Sequence, residues 1–342
     1  MSSAPTGTSA GQGSGRNVRP LPAPPARRRA GNRASRDALA GNRASRDALA
    51  GNRASRDALA GYLFVAPQLL GWLVFVAWPI VAVFWYSLHS WNVLAGTLDW
   101  AGLANYQHLL HDPAMPEVLK ATALFSVGLV VLNLALALLL AVLLNQKLRG
   151  TVVFRTIFFS PVVVSLVAWA IVSGMLLQRT GGINSFLAVI GVHGPNWLHQ
   201  SGWALVAVIV TQVVKNVGLN MVLFLAALQG VPEHLYESAA LDGASRWRTF
   251  WRITFPLISP TVLLTSIITV VGSLQVFAPI QVLTAGGPGN STNVLVYDLY
   301  KQGFVAHDLS YASTLGVLLF LIVLALTAAQ WALRRRWVVD ER

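Results

Sequence analysis

Long apolar runs separated by short polar connections fill the chain from residue 61 onward. Residues 62–98, 121–146, 156–178, 216–232, 253–297 and 309–333 contain no Asp, Glu, Lys or Arg. A helix needs ~20 mostly apolar residues to cross the hydrocarbon core of a bilayer. The pattern predicts spanning helices near 62–87, 119–145, 152–178, 203–228, 260–283 and 311–333. The expected fold class is therefore an all-α membrane protein with six transmembrane helices.

The first 60 residues follow a different pattern. Residues 1–30 are rich in Ser, Gly, Pro, Ala and Arg, a composition that cannot bury a core and is expected to stay disordered. The unit Gly-Asn-Arg-Ala-Ser-Arg-Asp-Ala-Leu-Ala then occurs three times unchanged, at 31–40, 41–50 and 51–60. At about 100° per residue a repeat of ten drifts by about 80°, so Leu39, Leu49 and Leu59 form no continuous stripe. An expanded, weakly helical cytoplasmic tail is expected at 1–60. A transmembrane domain is expected at 61–336 and a short cytoplasmic C-terminus at 337–342.

Charge sets the orientation. The tail before the first helix carries eleven Arg. Lys147, Arg149 and Arg155 follow helix 2, Arg246, Arg248 and Arg252 lie between helices 4 and 5, and Arg334, Arg335, Arg336 and Arg342 end the chain. The other three connections hold only Arg179 and Lys301. By the positive-inside rule both termini are expected in the cytoplasm, an N-in/C-in arrangement that fits the parity. Trp85, Trp91, Trp197 and Trp203 flank the outer ends, and Trp247, Trp251, Trp331 and Trp337 the inner ones, as indoles at the headgroup level should. The net charge of +12 lies mostly in the tail, so it argues for a membrane orientation signal rather than nucleic acid. The chain has no Cys, which excludes disulfides and thiolate metal sites.

Helix 4 is the least lipid-like. Gln212, Lys215, Asn216 and Asn220 fall on one face. Lys215 lies twelve residues from the helix start at Trp203, roughly 18 Å deep. A charge there costs at least ~2.5 kcal/mol unless it faces water or a partner. A solute pathway lining is one account of the stripe. Interhelical hydrogen bonds that only hold the bundle are the other. Ser273 and Gln275 of helix 5 join the candidate path, while Thr265, Thr269 and the lone Asn133 of helix 2 fit packing better. Thr265, Thr269 and Ser273 recur at spacing four.

The connection between helices 4 and 5 is the most informative segment. Pro232 and Glu233 suit the first turn of a helix. Ser238, Ala239 and Ala240 are small enough for a partner surface to approach, and Gly243 permits a sharp turn. A second short helix with Trp247 and Trp251 at i, i+4 is expected to stop at Pro256. An amphipathic membrane-surface loop is the plainer account.

This segment resembles the EAA loop of ABC importer permeases: Glu-Ala-Ala, three residues, Gly, nine residues, Ile-x-Leu-Pro. Here Glu237-Ser238-Ala239, Gly243 and Ile253-Thr254-Phe255-Pro256 stand at the full spacing, with Ser238 for Ala and Phe255 for Leu. Further stretches are similar to the carbohydrate branch, the maltose-type permeases. They are Phe64-Val-Ala-Pro67 with Trp78-Pro79, Gly102-Leu-Ala-Asn-Tyr106, Leu148-Arg-Gly150 with Phe154-Arg-Thr156, and Gly181-Gly-Ile-Asn184. Leu283-Thr-Ala-Gly-Gly-Pro288 with Thr292 and Tyr311-Ala312 complete them, Ser310 standing where Gly commonly precedes the Tyr-Ala pair.

The resemblance covers about 62–336 and implies half of a sugar or oligosaccharide translocation channel in a bacterial cell membrane. A second permease subunit, two ATP-binding subunits and an extracytoplasmic solute-binding protein would complete the system. It also implies a cytoplasmic coupling helix, with Glu237, Ser238, Ala239, Asp242 and Gly243 meeting an ATPase. Permeases for glycerol phosphate or polyamines, and a stand-alone secondary transporter, are the alternatives.

No lysine follows a glycine, so the chain has no Walker A loop, and no His-Glu-x-x-His is present. No cofactor, metal or catalytic residue is expected on this chain. ATP is expected on the partner ATPase.

Overall fold

A computed structural model describes residues 61–92, 96–146 and 150–337. The triple repeat and the last five residues lie outside the described residues. The chain divides into two units, Met1–Phe75 and Val76–Arg342. In the first, residues 61–75 are helical and almost wholly exposed. The second carries most of the packing.

Six segments are long and apolar enough to cross a membrane, as expected. The first is α1 (Gly61–Ser87), with a π-helical stretch at Leu73–Ala77. A small antiparallel hairpin follows, β1 (His89–Asn92) and β2 (Thr97–Trp100), an addition to the all-α expectation. Next come α2 (Ala104–His111) and the 30-residue span α3 (Met115–Leu144).

The third span departs from the sequence expectation. In place of one helix over 152–178 there are two, α4 (Thr151–Val163) and α5 (Leu166–Leu177). Val164 and Ser165 between them are extended, with ψ of 141° and 138°. The span itself runs Leu166–Val189 and takes in α6 (Gly182–Val189). Pro161 explains part of the break, because it has no N–H to return to the Ile157 carbonyl. Ser160 Oγ donates to that carbonyl instead, at 3.0 Å.

The fourth span is α7 (Trp203–Gln229). Then come α8 (Glu233–Leu241), α9 (Arg246–Thr249), a π-helical turn at Phe250–Thr254, and α10 (Phe255–Leu274). Pro256 does not stop the helix as expected. It stands just past the π-helical turn at Phe250–Thr254, and the helix runs on through it as one span, Arg246–Leu274. Instead α10 ends at Leu274, short of the expected 283, and α11 (Ala278–Leu283) starts afresh around Pro279. The chain closes with α12 (Leu295–Tyr300), a π-helical turn at Lys301–Val305, and α13 (Leu309–Trp337).

The core centres on α3 packed along α7. At one end Ala137 and Ala141 let Val217, Met221 and Phe224 approach closely, with Ile258 of α10 sealing the cluster. At the other end Phe125 and Leu129 meet Val208, Ile209 and Val213, together with α11 and α12.

Several of the loop stretches singled out in the sequence act as staples. Asn105 donates to the carbonyls of Ser87 and His89, both at 2.9 Å, and Tyr106 pairs with Ser87 Oγ at 2.8 Å. Asn184 Nδ2 donates to the carbonyls of Arg179 and Pro195, and its Oδ1 accepts from Trp197 Nε1 at 2.8 Å. Thr292 Oγ1 bonds both Thr284 Oγ1 and the Gly287 carbonyl. Ser310 accepts the Trp91 N–H at 2.8 Å, a contact that the glycine common at this position has no side chain to make.

Candidate functional site

Two regions concentrate the candidate residues. The first runs from α8 to α10. Pro232 stands just before α8 with extended geometry, and Glu233 falls in its first turn. The helix ends in a Schellman arrangement: the Ala244 N–H bonds the Ala239 carbonyl at 3.0 Å and the Gly243 N–H bonds the Ala240 carbonyl at 3.1 Å. Gly243 takes the left-handed position, with φ of +70°. An added Cβ would meet nothing within 4 Å, so the glycine serves backbone conformation and not clearance. Ser245 caps α9, its hydroxyl accepting from the Arg248 N–H at 3.3 Å.

Of the residues singled out here, only Ala239 is buried. Glu237, Ser238, Asp242 and Gly243 are exposed together on α8 and its turn. Leu241 is 90% exposed, an apolar side chain offered to the outside at the tip of the helix. The anchor is Tyr236, whose hydroxyl lies 3.2 Å from Thr254 Oγ1 and ties α8 to the turn preceding α10. Sequence reasoning missed this contact, since nothing local marks Tyr236 and Thr254 as partners.

The second region is the polar face of α7. Gln212, Lys215 and Asn220 are buried and Asn216 is half-buried. The Lys215 ammonium reaches the break between α4 and α5. It donates to the carbonyls of Pro161, Val162 and Val164 at 2.6, 3.0 and 2.8 Å. They lie at the end of a broken helix, the negative end of its dipole, and the Pro161 carbonyl also accepts the Val164 N–H at 3.2 Å. Three N–H groups on three acceptors saturate the ammonium. Gly218, one turn on, lets α4 cross closely, because a Cβ there would collide with the Phe158 carbonyl.

Asn220 Nδ2 donates to Asn133 Oδ1 at 2.6 Å and to Thr269 Oγ1 at 3.1 Å. Asn133 Nδ2 in turn donates to the Val213 carbonyl at 3.3 Å. One polar cluster thus joins α3, α7 and α10. Gln212 Oε1 is buried without a hydrogen-bond partner among the described residues. The remaining path candidates lie apart: Ser273 is buried and donates within its own helix to the Val270 carbonyl at 2.7 Å, and Gln275 is exposed just past the end of α10. No cluster of three or more His, Cys, Asp or Glu that could hold a metal occurs among the described residues.

The chain is similar to known proteins in sequence and in fold. Residues 116–339 match the family described as binding-protein-dependent transport system inner membrane component. The chain belongs to that family, and it is a multi-pass inner-membrane permease subunit of an ABC importer. It is 34% identical over 281 residues to the sn-glycerol-3-phosphate transport system permease protein UgpA of Yersinia enterocolitica, covering 81% of this chain and 94% of that one. It is 36% identical over 282 residues to the lactose transport system permease protein LacF of Rhizobium radiobacter, covering 80% and 94%. Among solved structures it is similar to a chain of a bacterial ABC transporter that imports the acidic polysaccharide alginate. That match has a TM-score of 0.72 at 26% identity and covers 82% of this chain and 96% of the other.

Proposed function

We propose that this subunit forms half of an ATP-driven import path for a neutral sugar or oligosaccharide, and that α8 is the helix through which an ATPase drives it. The observation that carries the coupling role is α8 itself. It is a short helix closed at its C-terminal end by the Schellman turn, held to the bundle by Tyr236 and presenting Glu237, Asp242 and Leu241 outward. A stiff element fixed at its base transmits displacement without absorbing it. A second permease, two ATP-binding subunits and an extracytoplasmic binding protein complete the system in this reading. Both termini, α8 and the bound ATP of the partner then lie on the cytoplasmic side. Closure of the ATPase pair pushes α8, and the bundle rocks between outward and inward access.

The substrate follows from relatives and from Lys215. Relatives named for lactose and for glycerol phosphate are about equally similar, so identity does not separate a neutral from an anionic solute. Lys215 was the cation best placed to meet an anion in the span, and its N–H groups are taken by three carbonyls. A path lined by amides and hydroxyls, with Gln212, Asn216 and Gln275 as candidates, suits hydroxyl-rich neutral solutes.

The test is uptake by proteoliposomes holding the complex co-purified from membranes. Labelled disaccharides and labelled glycerol phosphate are offered with the binding protein, with and without ATP. ATP-dependent accumulation of a disaccharide is expected. Accumulation of glycerol phosphate alone would reverse the substrate assignment, and uptake without ATP would remove the coupling role.

A further inference from the structure

A cavity of about 360 Å³ lies between α8 and the helix ends that carry it. Its walls are apolar, with Val142 of α3, Leu228 of α7 and Phe250 among them, and Arg246 stands in its lining. The size falls within the range of small-molecule sites. None of its lining residues is Asp or Glu. A second arginine flanks it: Arg155 Nη2 donates to the carbonyl of Leu144 at 3.3 Å, next to the cavity-lining Asn145. Arg155 Nε is buried there with no acceptor among the described residues. Arg155 therefore adds a second positive charge behind the wall of the cavity, in addition to that of Arg246 in its lining.

The position narrows the occupant. Val142, Leu228 and Phe250 sit where α3 and α7 end and where the chain re-enters α10, the level at which a bilayer changes from acyl chains to headgroups. The chain's own termini are unsuitable guests. Residues 1–60 carry eleven Arg against three Asp, and the other end carries Arg334, Arg335 and Arg336. Both are repelled by the arginines they would have to meet.

We propose that this cavity binds the headgroup of an anionic phospholipid. The phosphate lies against Arg246, a pairing that suits the planar guanidinium, with the charge of Arg155 behind the wall adding to the attraction. The first acyl carbons lie on Val142, Leu228 and Phe250, and the chains leave along the lipid-facing side of α3. Bound there, the lipid wedges α8 against the helix ends. The binding does not depend on the role assigned to α8.

The experiment is native mass spectrometry of the complex, purified with its accompanying subunits and equilibrated in phosphatidylcholine vesicles with or without phosphatidylglycerol. Wild type should retain phosphatidylglycerol and not phosphatidylcholine. Arg246→Gln should lower retention at least tenfold, whereas Arg248→Gln, in the same exposed turn but outside the cavity, should leave it unchanged. Ala244→Leu keeps every charge and fills the cavity, and should abolish retention. Equal loss in Arg246→Gln and Arg248→Gln would overturn the site in favour of diffuse attraction to a basic loop. Retention unaffected by Ala244→Leu would overturn it too. Displacement of the lipid by millimolar inorganic phosphate would assign the cavity to a soluble anion instead.

Discussion

The α8 turn and the polar face of α7 both gather polar residues on a short stretch of helix, yet they are opposite in character. On α7, Lys215 and Asn220 are buried and their N–H groups end on this chain's own carbonyls and hydroxyls. On α8, Glu237, Ser238, Asp242 and Leu241 are exposed, while the buried Ala239 and the Tyr236 hydroxyl tie the helix to the rest of the chain. Polarity inside a membrane helix here holds the bundle together. In the proposed reading, the polar and apolar surface exposed on α8 is what the ATPase meets. The contrast can be tested by asking which region governs folding and which governs transport.

The largest effect on folding is expected at Lys215. Lys215→Met takes the ammonium donor from the Pro161, Val162 and Val164 carbonyls at the α4–α5 break, of which Pro161 keeps the Val164 N–H, and a buried charged group's partners are expensive to strand. A loss of about 3 kcal/mol is expected, read as a lower unfolding temperature and poor recovery of the purified subunit. Lys215→Met with full stability but no uptake would move the lysine from the scaffold to the solute path. A smaller effect follows at Asn220. Asn220→Ala removes the donor from Asn133 and Thr269, and polar pairs between membrane helices are worth roughly 0.6–2 kcal/mol. About 1 kcal/mol of destabilisation is expected in the same unfolding measurement. A loss as large as that of Lys215→Met would make the three-helix cluster, and not the helix break, the main tie.

How much of this was legible in sequence depends on range. The six spans followed from uncharged length, because each is a local property of about twenty residues. The α8 turn was legible for a similar reason. Gly243, the small residues and Pro232 act on their immediate neighbours, and the structure places the glycine in the left-handed position that the turn requires. The broken third helix was not legible. Pro161 alone is compatible with a kink or a stop, and what favours the stop is Lys215, more than fifty residues away in sequence. The same distance hid the meaning of Lys215 itself. Its depth was readable, while the carbonyls that accept its protons belong to another helix. The hairpin β1–β2 was missed because four-residue strands rich in Trp, His and Ser carry no clear alternation.

At Gly243 the expected cost is smaller again and purely conformational. Gly243→Ala places a side chain at φ of +70°, a region that costs an L-residue roughly 1–2 kcal/mol, with no clash to add to it. The bundle should unfold almost as wild type, because the strain is confined to an exposed turn. Transport should fall severalfold as the turn relaxes and α8 loses its fixed angle. Gly243→Asn tolerates the left-handed region better and should recover part of the loss. If alanine and asparagine are equally impaired, the position acts through contact with the partner and not through turn geometry.

The smallest expected effect on folding is at Leu241, and there the comparison is sharpest. At 90% exposure the side chain has almost no contact to lose, so Leu241→Asp should shift stability by no more than about 0.5 kcal/mol. A single exposed leucine needs no partner to explain it, but the docking role proposed for α8 places this one under the ATPase surface. The aspartate would carry a desolvation penalty into whatever surface that is, beside the existing negative charge of Asp242. Co-purification of the partner subunits and ATP-dependent uptake should therefore both collapse in a chain that folds normally. Lys215→Met should show the reverse order, with the fold failing first and transport only as a consequence. If Leu241→Asp assembles and transports as wild type, α8 is a membrane-surface loop, and the division between a scaffold inside the bilayer and a docking helix outside it fails at its exposed end.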